Sequence, residues 1–194
     1  MTNDETSASV ETDEQPETAT GAFRFVTSWR AMTHDDNERV REFWRSHDAI
    51  ANPADADKRL AQVVMYAVTP DGEVAGVSTA MPMLQPRFGQ PMYYFRAFVG
   101  TDWRRTKLVR DLTNRSCDAL EAFARERGFP CIGVLLELEN EGFYRALRKP
   151  VWWNPRFHYV GKSDRGLEVR AHYFEGARLK SAEEVRQIRL PSHP

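Results

Sequence analysis

The chain has 194 residues, of which 41% are hydrophobic and 11% aromatic, and its formal net charge is −1. This length suits a single domain that buries its core without metal ions or disulfide bonds. No apolar run approaches the roughly 20 residues that cross a bilayer, and the N-terminus lacks the basic and then apolar pattern of a secretory signal. We therefore expect a cytoplasmic protein without a membrane partner, in which Cys117 and Cys131 are buried and reduced.

The charged residues are unevenly distributed along the chain. Six of the 28 acids lie in residues 1–20, which contain no Lys or Arg, so the remainder holds 22 acids and 27 bases. The first segment is rich in Thr, Ser and Glu, which predicts a disordered acidic tail over residues 1–20. We expect a folded domain over residues 21–177 and a C-terminal extension over residues 178–194. The basic balance of the domain suits an anionic ligand, although surplus arginine also keeps proteins soluble.

The first half of the chain mixes short strands with two helices. The first helix is expected after Thr33 or Asp35, and Asn52-Pro53 is typical of the start of the second. Asp71-Gly72 predicts a hairpin turn, and the proline- and glycine-containing segment 84–91 predicts a loop. The expected strands cover residues 23–29, 63–68 and 74–83, and the expected helices cover residues 38–47 and 53–60.

Residues 93–112, with the sequence YYFRAFVGTDWRRTKLVRDL, are the most informative segment. The apolar run 93–99 predicts a largely buried strand, and helical spacing from Leu108 predicts a long helix that stops at Gly128. Arg104, Arg105 and Lys107 therefore lie where the helix begins. Free N–H groups and the positive end of the helix dipole favour an anion there, so the segment predicts a phosphate or pyrophosphate site.

The second half of the chain adds three more strands. Strands are expected over residues 130–138, 157–162 and 167–174, and helices from Asn140 to about Arg148 and over residues 181–188. Residues 151–159, VWWNPRFHY, are expected to be a loop that packs its indoles on the sheet, with stacking on nucleic-acid bases as the alternative. The element order predicts an α/β fold with a mixed central sheet of about seven strands and helices on both faces.

This order and the central segment resemble the GNAT superfamily of N-acyltransferases, which typically use acyl-coenzyme A. The family pattern is an apolar strand ending in Val, a turn with an aromatic residue, Arg or Gln, and a glycine-bearing loop that leads into a helix. The matching residues here are Val99, Trp103, Arg104, Leu108 and Leu112. A second match, in the sequence ENEGFYRAL, comprises Asn140, Phe143 and Tyr144.

The loop departs from the family pattern at two positions. The family has glycines where this chain has Lys107 and Val109. Glycine lets backbone N–H groups approach a pyrophosphate without an intervening Cβ. Lys107 could offset a poorer backbone approach with a charge-assisted contact, or the site could have lost its cofactor.

The resemblance implies acetyl-CoA or another acyl-CoA as co-substrate and assigns roles to particular residues. Tyr144 would protonate the departing thiolate, and Phe98 and Val99 would offer backbone groups to the pantetheine arm. The remaining cofactor-binding residues would be Arg104, Arg105, Thr106, Lys107, Leu108, Val109 and Asn140.

Glu137 is the candidate general base, acting through water, because it and Glu139 project from the polar side of the fifth strand. In this fold that strand splays from the fourth. The alternative is that both are solvated carboxylates at a strand end. Arg96 lies in an apolar strand, where a buried guanidinium needs a partner. It is expected to bind an acidic acceptor or to pair with Glu137 or Glu139.

The sequence therefore predicts an N-acyltransferase that acts on a small-molecule or protein amine. The acyl group that we expect it to transfer is acetyl. One alternative is a non-catalytic GNAT-like module that binds nucleic acid or protein, and another is a transferase with a different donor such as aminoacyl-tRNA. The histidines and cysteines show no metal-ligand spacing, so no metal is expected. The sequence is compatible with a monomer or a homodimer.

Overall fold

The computed structural model describes residues 23–86, 89–139 and 149–190. They form one eight-stranded sheet in the order β1-β2-β3-β4-β5-β8-β7-β6. The strands are β1 Arg24–Thr27, β2 Val63–Val68, β3 Val74–Gln85, β4 Gln90–Val99, β5 Gly133–Glu137, β6 Val151–Trp153, β7 Arg156–Lys162 and β8 Glu168–Tyr173. Only β4 and β5 pair in parallel among these strands, so the sheet is mixed as expected.

Four α-helices accompany the sheet in the described residues. They are α1 His34–Ser46, α2 Pro53–Leu60, α3 Leu108–Arg127 and α4 Ala182–Gln187. Thr33 caps α1 in a reciprocal capping box with Asp36, and Asn52 caps α2, which begins with a proline. Helix α3 ends at Gly128, whose φ of 59° is in the left-handed region that glycine tolerates best.

The two faces of the sheet carry separate apolar cores. Alternate β4 side chains such as Tyr93, Phe95 and Val99 pack with α3 residues, including Leu112. On the opposite face, α1 and α2 pack their apolar residues against β2, β3 and Phe98. This layering places the start of α3 on one face of the sheet, beside β4, and the end of α2 on the other face.

The structure confirms the predicted α/β fold and corrects it at two loops. Residues 84–91 were expected to be a loop, but β3 and β4 continue to Gln85 and from Gln90 as one long hairpin. The proline signals mislead there because Pro91 lies at the N-terminal end of a strand, where a missing N–H is tolerated.

The other correction raises the strand count from about seven to eight. Residues 151–159 were expected to be a loop but contain β6 and the start of β7, which pair antiparallel. The Trp152 ring lies over the guanidinium of Arg170, 4.1 Å away, and Arg170 is 1% exposed. The expected packing of an indole on the sheet holds for Trp152, whereas Trp153 is 73% exposed.

The C-terminal segment contacts the domain at the β3–β4 hairpin. The Gln90 side chain accepts from the N–H of Lys180 at 2.8 Å and donates to its carbonyl at 3.0 Å. Ser181 caps α4, and Leu190 packs against the core on the α3 face. The domain limits at residues 20 and 177 stay a prediction.

Within the described ranges, no helix is both long and apolar enough to cross a membrane. Cys117 and Cys131 are buried free thiols. Burial raises the pKa of both thiols, which keeps them protonated at neutral pH.

Candidate active site

The two parallel strands at the centre of the sheet separate at their C-terminal ends. The pairing of β4 with β5 covers Tyr93 to Phe95 and ends there, although β4 continues for four residues to Val99. β5 stays paired with β8 through Glu137. A gap therefore opens between β4 and β5 beyond Phe95 and Leu136.

The β3–β4 ladder determines which backbone groups of β4 point into this gap. The Gly100 N–H donates to the carbonyl of Ala75 at 3.0 Å, and the register is continuous from Gly76–Val99 onward. Hydrogen-bonded pairs alternate along an antiparallel ladder, so Phe98 directs its N–H and C=O to β3. Ala97 and Val99 direct theirs into the gap. The backbone of Phe98, predicted to offer groups to the pantetheine arm, therefore pairs with β3, and Ala97 and Val99 are the residues whose backbone groups face the gap.

The turn between β4 and α3 is short and already helical. A 3₁₀ turn over Thr101–Trp103 is followed by Arg104 and Lys107, both in the right-handed helical region. The Trp103 ring packs edge-on against Phe23, with ring centroids 5.1 Å apart. This packing anchors the turn between the strand and the helix.

The first turn of α3 presents backbone N–H groups to solvent. The Thr106 hydroxyl accepts from the N–H of Leu108 at 3.1 Å and donates to the carbonyl of Trp103 at 2.8 Å. The N–H groups of Val109 and Arg110 have no hydrogen-bond partner in the part of the chain that the structure describes. Two first-turn amides are thus open to an anion, and one is occupied by the hydroxyl.

Exposed cations surround these amides, as the sequence predicts. Arg104, Arg105 and Lys107 are all exposed, and Leu108 is buried beneath them. The Arg104 Nε donates to the carbonyl of Val99 at 3.3 Å, so this side chain spans from the helix start to the end of β4. Arg110 forms an ion pair with Asp111 at 3.2 Å.

Charged side chains line the opposite face of the same gap. Tyr94 and Arg96 of β4 lie on this face, and the Arg96 guanidinium is 4.4 Å from the centre of the Tyr94 ring. Glu137 and Glu139 both accept from Arg165, at 2.6 Å and 2.8 Å. The side chain of Glu137 is 16% exposed, whereas that of Glu139 is 57% exposed. Glu137 is therefore the more enclosed carboxylate.

The electrostatics of this face follow from burial and from the ion pairs. The hydrogen bonds that Arg165 donates to Glu139 and Glu137 raise the pKa of Arg165. Burial raises the pKa of Tyr94, which keeps its hydroxyl protonated and able to donate. Glu137 Oε2 accepts two hydrogen bonds from Arg165, at 2.6 Å and 3.2 Å.

The structure resolves one alternative left open by the sequence. Arg96 was expected either to bind an acidic acceptor or to pair with Glu137 or Glu139. The partner of both carboxylates is Arg165, which lies in the β7–β8 turn, and Arg96 forms no ion pair with any described residue. The pairing alternative is wrong because Arg165, and not Arg96, lies within ion-pairing distance of both carboxylates.

The predicted site residues fall into three groups. The structure brings Val99 and the segment 104–109 together at the α3 start, and it places Arg96 and Glu137 across the gap on the other face. Asn140 and Tyr144 lie outside the described residues, so their roles stay predictions.

Sequence reasoning missed four contributors to the site. Period-two alternation along β4 could have identified the Ala97 backbone, and the helix start could have identified the Arg110 N–H. No sequence signal identifies Arg59, on whose charge Arg96 and Glu139 act, or Arg165, which pairs with Glu137 and Glu139, because each belongs to an element distant in the chain. The described residues hold no cluster of three or more potential metal-ligating side chains.

Solved structures with the same fold come from several organisms. A GCN5-related N-acetyltransferase from Kribbella flavida is 17% identical, with a TM-score of 0.52 over 79% of this chain and 98% of that one. NAA60 from Arabidopsis thaliana, in complex with acetyl-CoA, is 16% identical, with a TM-score of 0.51 over 79% and 100%. The yncA protein of Salmonella typhimurium, with its cofactor acetyl-CoA, is 15% identical, with a TM-score of 0.50 over 83% and 99%.

No protein-family model and no curated protein matches the sequence. The fold is nevertheless defined by the strand order, the β4–β5 gap and the α3 start, and these solved structures share the fold. The chain has the GNAT fold, which confirms the resemblance at the level of architecture.

Proposed function

We propose that the chain is an N-acyltransferase that moves an acyl group, acetyl in the first instance, from acyl-CoA to an amine. The observation that carries this proposal is the gap between β4 and β5, into which Ala97 and Val99 direct backbone groups. A pantetheine arm carries amides and can pair with such an edge as an added strand. The pyrophosphate would then lie at the Val109 and Arg110 amides, among Arg104, Arg105 and Lys107.

The residues at the α3 start fit a diphosphate despite the missing glycines. Lys107 is already helical, so Val109 and Arg110 present their N–H groups without the conformations that glycine alone adopts. Thr106 and Leu108 contribute to the shape of the turn, because the Thr106 hydroxyl accepts a hydrogen bond from the Leu108 N–H. Acyl-CoA supplies a thioester carbonyl that is open to nucleophilic attack.

The chemistry requires a base, an oxyanion donor and an acid. Glu137, through water, takes a proton from the ammonium form of the acceptor, the neutral amine attacks the thioester carbonyl, and a β4 N–H donates to the resulting oxyanion. The carbon–sulfur bond then breaks, and the thiolate takes a proton from Tyr144. The second proton on the attacking nitrogen is released through water as the amide forms and restores the proton that Tyr144 gives to the thiolate. Asn140 would position the segment that carries Tyr144 beside the cofactor.

Titration of the purified chain with acetyl-CoA tests the proposal. We expect a saturable calorimetric signal and a thermal shift, because a ligand at ~100 times its Kd stabilises the folded state by about 2.7 kcal/mol. Release of CoA in the presence of an amine then reports transfer. Absence of both a heat signal and a thermal shift at millimolar acetyl-CoA would rule the proposal out.

The acid is tested by Tyr144→Phe, which removes only the hydroxyl. We expect turnover to fall by at least tenfold while acetyl-CoA affinity stays within about twofold, since the acid acts in the chemical step. Tyr173→Phe is a matched control on the exposed end of β8. Equal turnover in wild type and Tyr144→Phe would remove the assignment.

A second candidate is a non-catalytic binding module of the same fold. It is favoured by the Thr106 hydroxyl on the Leu108 N–H, and by side chains at Lys107 and Val109 where the family has glycines. A chain that binds RNA or protein but not acetyl-CoA would support this candidate. Transfer from aminoacyl-tRNA, without acetyl-CoA binding, would instead indicate a different donor.

A further inference from the structure

On the face of the gap that carries Tyr94 and Glu137, two arginines form no ion pair with any carboxylate among the described residues. Arg59, near the end of α2, and Arg96, on β4, are both half-buried. Neither forms an ion pair or a side-chain hydrogen bond with any residue in the described ranges. A guanidinium that is partly withdrawn from water is costly unless an anion compensates it, so this pair needs a partner.

The topology brings the two side chains to the same place. Arg96 pairs across the ladder with Thr79, and Thr79 pairs with Val63, four residues after Arg59. Gln62, at the α2–β2 junction, contacts the sulfur of Met81, which pairs with Tyr94. The end of α2 therefore lies over the part of β4 that carries Tyr94 and Arg96.

The electrostatics are consistent with this proximity. Burial lowers the pKa of Arg59, and the positive charge of Arg96 lowers it further, whereas the more weakly acting Glu139 and Asp55 raise it. The Arg96 guanidinium carbon also lies 4.4 Å from the centre of the Tyr94 ring, in a cation–π contact. The two cations thus repel each other, and an anion between them would relieve the repulsion.

The charge balance of this face indicates the valence of that anion. Among the described residues, Arg59, Arg96, Arg165 and Lys58 contribute four positive charges, and Glu137, Glu139 and Asp55 contribute three negative charges. Arg165 already holds Glu137 and Glu139, and Lys58 pairs with Asp55 at 3.7 Å, so these groups keep a surplus of one positive charge, and Arg59 and Arg96 are the cations among them without an ion pair. One carboxylate neutralises this surplus, whereas a phosphate monoester brings about −1.5 to −2 and exceeds it.

We propose that the acceptor is an amine whose molecule also bears a carboxylate, and that Arg59 and Arg96 bind this carboxylate. The proposal rests on the proposed acyltransferase function. A planar carboxylate matches the fork of a guanidinium, and two such forks fix its orientation. The Tyr94 hydroxyl, which is protonated, is available as a further donor on the same face. The amine then lies toward Glu137, across the gap.

The test is a panel of small amines in which each carboxylate is paired with its carboxamide. Suitable pairs are glycine and glycinamide, β-alanine and β-alaninamide, and 4-aminobutyrate and its amide, with phosphoethanolamine as the phosphate arm. CoA release is measured for wild type, Arg59→Gln, Arg96→Gln and Arg96→Lys. Arg45→Gln is the control, because Arg45 is an exposed arginine of α1 that pairs with Glu42.

We expect wild type to favour at least one carboxylate over its amide by 10- to 100-fold in kcat/KM, mainly through KM. Each Gln variant should remove most of this preference, Arg96→Lys should keep part of it, and Arg45→Gln should keep all of it. Equal use of acids and amides, or a preference for phosphoethanolamine, would overturn the proposal. The proposal would also be overturned if the enzyme bound acetyl-CoA but acetylated none of the acids.

A readout without turnover separates this proposal from the acyltransferase function. The preferred amino acid alone should raise the Tm of wild type and of Arg45→Gln, but not that of Arg59→Gln or Arg96→Gln. Melting of the unliganded variants within a few degrees of wild type shows that they fold. If wild type fails to bind acetyl-CoA yet shows this Arg-dependent shift, the acyltransferase function fails and the carboxylate site stands.

Discussion

The Thr106 hydroxyl accepts the backbone N–H of Leu108 at 3.1 Å, so a side chain of this chain occupies one amide at the start of α3. This contact caps the helix, whose own N-cap residue, Lys107, makes no side-chain capping bond. It also competes with a phosphate for the same N–H. The relationship between Thr106 and Leu108 therefore couples the stability of α3 to anion binding.

We expect Thr106→Val, which keeps the shape but removes the hydroxyl, to lower the free energy of unfolding by about 1 kcal/mol, as for the loss of other helix caps. Acetyl-CoA affinity should not fall, because the freed Leu108 N–H can donate to the ligand. Denaturant titration and calorimetry measure the two effects. A loss of affinity larger than about threefold would show that the hydroxyl itself contacts the cofactor.

Arg104→Ala and Lys107→Ala should each weaken acetyl-CoA binding by roughly 3- to 10-fold, and the double variant should lose the product of the two factors. The losses should shrink between 0.1 M and 1 M salt, because the Debye length falls from about 10 Å to about 3 Å. Arg125→Ala, on the last turn of the same helix, is the matched control. Wild-type affinity in the double variant would place the pyrophosphate elsewhere.

Glu137→Gln should lower kcat by about 100-fold with little change in KM for acetyl-CoA, since a positioned base contributes roughly 10²- to 10⁴-fold. Glu139→Gln is the control, because Glu139 binds the same Arg165 but its side chain is 57% exposed. We expect that variant to stay within about threefold of wild type. Similar kcat values for the two variants would mean that neither carboxylate accepts the proton of the amine.

Gly133→Ala should prevent β5 from pairing with β8, because the added Cβ would lie 2.2 Å from the carbonyl oxygen of His172. We expect a loss of more than about 3 kcal/mol in the free energy of unfolding, or failure to fold. Gly76→Ala is a milder comparison, since its Cβ would meet Val99 Cγ2 at 3.2 Å. Chemical denaturation ranks the two, and a smaller effect at position 133 than at position 76 would contradict the geometry.

Tyr66→Phe should alter the pH dependence of stability at both ends of the scale. Burial and the hydrogen bond to Asp36 raise the pKa of Tyr66 from 10.0 to about 12. The folded state therefore holds this proton more tightly, so its contribution is complete below pH 10 and is lost as the pH rises through about 12. The Phe variant should show a flatter stability curve between those values.

The same substitution acts on Asp36 in acid. The Tyr66 hydrogen bond is the main cause that lowers the pKa of Asp36, so the ionised carboxylate stabilises the fold above its ordinary value of 3.8. This contribution is lost as the pH falls below that value, and less of it should remain in the Phe variant. Tyr173→Phe, at an exposed position, is the control and should leave the stability curve unchanged in both acid and alkali.

The local signals in the sequence were sufficient for most elements. The Asn52-Pro53 start of α2, the Gly128 end of α3 and the apolar run in β4 all lie where the structure places them. These features depend on near neighbours in the chain, through caps, glycine conformations and side-chain period. The sequence also indicated the cations at the α3 start, because the turn that holds them is only a few residues long.

Only the tertiary structure decided which residues meet across the gap. Arg165 lies 28 residues from Glu137 and Arg59 lies 37 residues from Arg96, and no local pattern links either pair. The direction of the Ala97 backbone likewise depends on the register with β3. Chain neighbours determine helices, strands and turns, whereas the partners of a charge depend on how a whole sheet brings distant segments together.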